Sequence, residues 1–445
     1  MALSEKEATK LLESVLAIAK TTAAGAEILT SVDAGRDANT RFARNEITST
    51  GDVEETTVSV HVAYGKRSAG TSTNQTDPES LRALVERASR LAKLSPEDPE
   101  RMPVLGAQRY RRSPSAYDAA TDKLSAKARA AAAKETIALA DAAKLQVAGF
   151  YEHGSSAWAM ASSAGLRAYH LATRVGFTTT ARTGDGTGSG WAGAIGNRAD
   201  EIVTGSAAKI AIEKAVRSAK PRKLEPGRYT VVMEPAAVSE LLSFLTDSLD
   251  ARDADEGRSF FSKPGGGTRV GEKLFGDAIT VASDPTSADT PSAPFDDEGF
   301  PLSPTTWIDK GVLEAMTYSR HWAFKQGKAP TGNPSVFHMT GGTAPSSQEL
   351  VAGVKKGVLI SRFWYTRWVD PQTILITGLT RDGTFLIEDG QVTAPVNNFR
   401  FNESPVTMLK NLDAMTNTTI RMPGGMRVPG LRTHEFHLAS ISEAV

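Results

Sequence analysis

The sequence predicts an α+β protein of two parts. The first is an N-terminal α/β domain with helices packed on a mixed sheet, residues 1–220. The second is a C-terminal β-rich domain, barrel- or sandwich-like, residues 221–445. Three observations carry this. The first half mixes amphipathic helical stretches with period-two runs. From residue 259 onward, short β-type runs alternate with Gly, Pro and Asp turns at roughly ten-residue intervals, the spacing of an antiparallel sandwich or barrel. Between the halves lies Lys220-Pro221-Arg222-Lys223-Leu224-Glu225-Pro226-Gly227, charged and broken by proline.

Taken in order, Ser4 with Glu7 three residues later is a capping box, and Ala8, Leu11, Leu12, Val15 and Leu16 then share one helical stripe. Strands are expected over residues 24–30, 37–47, 54–64 and 68–73, the third with Thr56, Val58, Val60 and Val62 on one face. Asp77 caps a helix whose first residue is Pro78 and which carries Leu81, Leu84, Val85, Ala88, Leu91 and Ala92 on one face. Residues 96–114 form a proline-rich loop, residues 124–145 an Ala- and Lys-rich surface helix, and residues 146–183 a β-rich stretch. Residues 184–193 are glycine-dense and predict a hairpin tip, and residues 206–220 return to helix. In the second half a strand over residues 229–233 leads into a helix opened by Pro235, with Val238, Leu241, Leu242, Leu245 and Leu249 on its apolar face.

Composition narrows the function. Lys+Arg and Asp+Glu are both 51, so the chain lacks the overall basic footprint expected of a nucleic-acid binder or of a protein drawn to anionic membranes. It has no cysteine, which excludes disulfides, thiolate catalysis and Cys-ligated zinc within the chain. Charges at Glu5, Lys6, Glu7, Lys10 and Glu13 interrupt any signal-peptide core, and no run reaches the ~20 apolar residues of a membrane span. A cytoplasmic protein is expected by default.

The most distinctive stretch is residues 294–333, PFDDEGFPLSPTTWIDKGVLEAMTYSRHWAFKQGKAPTGN. It joins an acidic triplet, Asp296, Asp297 and Glu298, to a hairpin turning at Asp309-Lys310-Gly311 and to a turn at Thr331-Gly332-Asn333. These pieces, in this order and spacing, resemble the signature region of the TldD/TldE (PmbA) metalloprotease family. The elements around Arg41-Phe42-Ala43-Arg44-Asn45 and Gly65-Lys66-Arg67 resemble its N-terminal domain. The chain as a whole resembles the TldE/PmbA-like subunit.

In the catalytic TldD subunit the helix equivalent to residues 238–245 carries His-Glu-x-x-x-His, which binds zinc with a later cysteine. Here that stretch reads Val-Ser-Glu-Leu-Leu-Ser-Phe-Leu, and no histidine lies between His170 and His321. The resemblance therefore implies a zinc-free subunit: no catalytic residue, no metal ligand and no cofactor in this chain. Zinc is expected in a TldD-like partner, the two forming a heterodimer that cuts or matures unfolded peptides. Neither nucleic acid nor membrane is an expected partner.

Other patterns are weaker. Gly188-Ser189-Gly190-Trp191-Ala192-Gly193 fits G-x-G-x-x-G outside any βαβ context, and Gly265-Gly266-Gly267 leads to Gly271-Glu272-Lys273, which misplaces the phosphate-loop lysine. The carboxylates Asp296, Asp297 and Glu298 suit a hard cation or, as the structural alternative, accept turn amides or pair with arginines such as Arg381. Arg381-Asp382-Gly383 and Glu388-Asp389-Gly390 are expected as turns. Arg362, Trp364 and Tyr365, in a run with Phe363, predict an interface or peptide groove, because arginine and aromatics are enriched there. The expected substrate or interface residues are thus Asp296, Asp297, Glu298, Arg362, Trp364, Tyr365 and Arg381. The residues alone leave open a stand-alone metallohydrolase using His434 or His437 with the acidic triplet, and a homodimeric peptide-binding protein.

Overall fold

A computed structural model describes residues 2–443. Helix α1 (Glu5–Thr22) leads into strands β1 (Glu27–Ala43), β2 (Glu46–Tyr64) and β3 (Arg67–Thr73), followed by α2 (Pro78–Leu94). After a long loop come α3 (Ala119–Asp122), α4 (Ala126–Ala142), β4 (Leu145–Ser162), β5 (Arg167–Thr183), β6 (Ser189–Gly196) and α5 (Thr204–Arg217). The six strands form one sheet in the order β3-β2-β1-β4-β5-β6.

This sheet is antiparallel throughout rather than mixed. β1–β2, β2–β3, β4–β5 and β5–β6 are hairpins, and tight turns join antiparallel neighbours. β1 is one strand where two were expected, since pairing with both β2 and β4 carries it through Asp33, Gly35 and Asp37. The helices lie on one face: Ile28, Thr30, Val32, Ala34, Ala38, Thr40 and Phe42 of β1 are all buried beneath them. The capping box of Ser4 with Glu7 and the Asp77 cap on α2 form as expected.

The glycines of residues 184–193 serve packing more than turning. The tip spans residues 184–188, and β6 then runs directly beneath α5. A Cβ on Gly188 or Gly190 would collide with the carbonyl oxygens of Ala215 or Ala211.

The second half comprises β7 (Gly227–Met233), α6 (Pro235–Asp247), α7 (Ala251–Asp255), β8 (Thr280–Ser283), β9 (Thr305–Asp309), β10 (Val312–Leu313), α8 (Arg320–Gln326), β11 (His338–Thr340) and α9 (Ser347–Ala352). It ends with β12 (Lys356–Asp370), β13 (Leu375–Glu388), β14 (Gln391–Pro395), β15 (Asn398–Glu403), α10 (Pro405–Lys410), β16 (Leu412–Arg421) and β17 (Arg427–Ser442). The eleven strands share one sheet. It is sandwich-like rather than a closed barrel: β7 also pairs with β17, but β11, β8, β9 and β10 extend from β17 as an open arm.

Its core buries Leu241, Leu242, Leu245 and Leu249 completely against Phe363, Phe401 and Phe436. Each such leucine contributes on the order of 1.5–3 kcal/mol. Lys310 and Gly311 both hold positive φ (45° and 79°) at the predicted β9–β10 turn.

Candidate functional site

The signature loop clasps the two halves together. Asp296 Oδ1 accepts from the amides of Glu298 (3.0 Å) and Phe300 (2.9 Å), closing a turn in which Gly299 sits at φ 77°. Burial, opposed by these bonds, pushes the Asp296 carboxyl up to about 6. Glu298 pairs with Arg320 at 2.8 Å, not with Arg381. Phe295 packs on Trp158 and Tyr110, and the Tyr110 hydroxyl donates to the Gly299 carbonyl (2.7 Å). Asp297 lines a shallow recess of mixed character with His61, Ser31, Leu29 and Met160 on the helix-free face of the first sheet.

A second junction lies farther along β5. Gly299 abuts Leu166 just before β5 begins, whereas Trp191 pairs with Thr180 near its end, roughly 45 Å away at a strand rise of ~3.3 Å per residue. Here the Arg362 guanidinium of β12 lies between two indoles, 4.7 Å from Trp191 and 5.1 Å from Trp364. It faces the Asp382 carboxylate at 3.6 Å, and Asp382, 4% exposed, also accepts from the Ser189 hydroxyl. Arg381 covers Trp364 at 5.1 Å.

Arg381-Asp382-Gly383 is not a turn. It lies inside β13, where Asp382 (φ 56°) and Gly383 (φ 128°) form a bulge that aims the carboxylate at Arg362. Glu388-Asp389-Gly390 is the turn expected, with Asp389 and Gly390 both at positive φ before β14.

Past this cluster β12 becomes an exposed aromatic strip. Phe363 turns into the core, while Trp364, Tyr365 and Trp368 are 44%, 61% and 42% exposed. A second bulge holds Tyr365 at φ 60°, a strained value for a bulky residue, and Arg367 stacks on its ring at 3.9 Å. Helix α6 runs alongside. Glu240 and Phe244, one turn apart, meet Thr366 (Oγ1 to Oε1, 2.6 Å) and Trp368 (4.9 Å between ring centroids). Beyond Ile360, β13 is the one strand paired with β12 among the described residues.

The structure thus brings Arg362, Trp364, Tyr365 and Arg381 to one place and sets Asp296, Asp297 and Glu298 at the other junction. It adds Trp191, Ser189, Asp382, Glu240, Thr366 and Trp368. Of these, Glu240 carried a sequence signal, as a charge interrupting an otherwise apolar helix. Trp191 was hidden by its glycine-rich surroundings.

The donor set does not fit a zinc ion. Helix α6 holds no imidazole, and no group of three His, Cys, Asp or Glu converges among the described residues. His434 meets Asp413 (3.0 Å) and the His437 amide donates to Glu403 (3.1 Å), on either side of a bulge at Glu435 (φ 58°), so neither joins the acidic triplet.

Comparison with known proteins places these elements in context. Residues 226–440 match the PmbA/TldA metallopeptidase C-terminal domain, residues 31–92 its domain 1 and residues 116–219 its central domain. A metalloprotease of Methanothermobacter thermautotrophicus is 28% identical over 218 residues, 46% of either chain. The matched stretch therefore spans under half of that relative's length. Among solved structures, TldE from Thermococcus kodakarensis superposes with a TM-score of 0.86 at 17% identity, covering 98% of this chain and 100% of that one. A proposed modulator of DNA gyrase from Thermotoga maritima gives 0.83 at 18% identity, covering 97% and 100%. At these identities the likeness establishes the fold.

Proposed function

This chain belongs to the PmbA/TldD metallopeptidase family, and from that premise we propose that it is a zinc-free, TldE-like subunit. It pairs with a zinc-bearing TldD-like chain to degrade or mature unfolded peptides. The observation that carries the reading is helix α6. Where the catalytic subunit bears His-Glu-x-x-x-His, this helix presents Glu240 and Phe244 to a strip of exposed aromatics. The chain keeps the scaffold and a surface for extended polypeptide, without donors for the ion.

The role assigned to the strip is to hold the partner or an extended substrate. Beyond Ile360 β12 is paired by β13 alone among the described residues, so a peptide can add there as a strand with its side chains on Trp364, Tyr365 and Trp368. Strain at Tyr365 supports this, since backbone outliers cluster where a surface is shaped for binding. Among the described residues no helix is long and apolar enough to cross a membrane.

The test is purification from the native host. The proposal expects a relative carrying His-Glu-x-x-x-His to come with the tagged chain, and the pair, but not this chain alone, to cleave an unstructured peptide. A chain that isolates as a homodimer and whose addition leaves the relative's activity unchanged would refute it.

A further inference from the structure

One cavity lies away from both junctions. It is an open recess of about 470 Å³ between β7, β13, β15, β17 and the start of α10, in the size range of small-molecule sites. Glu403 forms its floor. The residue is 5% exposed, and its carboxylate receives the amides of Ser404 (2.8 Å) and His437 (3.1 Å), with no ion pair among the described residues. Among the described residues no cation stands within ion-pair distance of this buried carboxylate, and Arg228 acts on it from farther off. Burial accordingly pushes its carboxyl above the usual range.

The rim has the opposite sign. Arg228 and His437 are registered neighbours across β7 and β17, and the exposed Arg228 guanidinium donates to the Glu435 carbonyl (2.8 Å), its one hydrogen bond among the described residues. One wall is apolar, formed by Phe260, Leu375 and Val406. Behind Phe260, Arg269, itself paired with Glu272 at 2.8 Å, and Lys410 stack on its ring at 4.9 and 5.6 Å and hold that wall in place.

We propose that this cavity binds a zwitterionic short peptide. The peptide's ammonium group meets Glu403, its carboxylate meets Arg228, and an apolar first side chain lies on Phe260. The assignment stands apart from the subunit reading, because it concerns binding by this chain alone at a site separate from β12.

The experiment is isothermal titration calorimetry of the purified full chain with the dipeptide Leu-Gly, N-acetyl-Leu-Gly and Leu-Gly amide. Saturable one-to-one binding of Leu-Gly is expected, at least tenfold weaker for the acetylated and amidated forms. Glu403→Gln should weaken Leu-Gly at least tenfold and leave the acetylated form unchanged. Arg228→Ala, on the exposed rim, should abolish the preference for the free carboxylate. If Glu403→Gln fails to fold, the three ligands on the unaltered protein and on Arg228→Ala decide the matter. Absence of saturable binding, or equal binding of free and acetylated Leu-Gly, would overturn the proposal.

Discussion

Replacing Arg362 with alanine tests the second junction at its centre. The guanidinium is 17% exposed, stacks between Trp191 and Trp364, and is the cation facing a carboxylate that is 4% exposed. Removing one partner of a buried pair costs on the order of 3–5 kcal/mol, chiefly because the other charge stays buried. The 3.6 Å separation is loose and Asp382 keeps the Ser189 hydroxyl, so the charge contribution belongs below that range, at about 2 kcal/mol. Two cation–π contacts, partly desolvated, add roughly 1 kcal/mol. Arg362→Ala should therefore lose about 3 kcal/mol in urea unfolding followed by tryptophan fluorescence. Arg362→Met with Asp382→Asn should recover at least half, since apolar stacking remains and no charge is stranded. A loss below about 1 kcal/mol for Arg362→Ala, or no coupling in the double-mutant cycle, would refute the claim that Arg362 and Asp382 act as a pair at this junction, each reaching the first sheet through Trp191 and Ser189.

The remaining predictions concern the clasp, the acid limb and the aromatic strip. Because Asp296 Oδ1 accepts both turn amides, Asp296→Asn keeps the turn and at pH 8 should match or exceed the parent, while Asp296→Ala should lose about 1–2 kcal/mol in the same unfolding assay. In the folded state His153 is held down to about 4 by burial and by Arg129, and His170 to about 4 by burial and by Arg112. The unfolded chain takes up these protons first, so stability should fall as pH drops from 6.5 to 4. Asp296 acts oppositely, contributing stability below pH 3.8 that is lost as pH rises toward 6. His153→Gln should remove part of the acid fall, seen as a flatter pH series of urea midpoints between pH 6.5 and 4. Tyr365→Gly relieves the positive φ at a 61%-exposed site and should not destabilise the fold, yet it should weaken capture of the zinc-bearing relative at least fivefold in a pull-down.

Local chemistry was legible wherever a short motif decides the structure. Ser4 with Glu7, Asp77 with Pro78, and Lys310-Gly311 each determine a cap or turn from neighbouring atoms, and each lies where the pattern puts it. The buried stripe of α6 was equally clear, because helical spacing sets which leucines face inward. Long-range pairing was not. β1 looked like two strands because Asp33, Gly35 and Asp37 interrupt its pattern, and only β2 and β4 on either side carry it through. Gly35 itself answers to a distant partner, since a Cβ there would sit 2.9 Å from the Ser155 carbonyl oxygen. Arg381-Asp382-Gly383 has the composition of a turn, and its role as a bulge depends on Arg362 across the ladder. At the candidate site the sequence supplied Arg362, Trp364, Tyr365 and Arg381. Trp191 and Ser189 join them only because the first sheet docks there.

The central claim is that this polypeptide has no place for the family's ion. The most direct measurement is zinc content of the purified chain after equilibration with zinc and gel filtration, read beside chelator-sensitive cleavage of an unstructured peptide. The account predicts far less than one zinc per chain and no cleavage unless a zinc-bearing relative is added. One tightly held zinc per chain, with cleavage that a chelator abolishes, would contradict it.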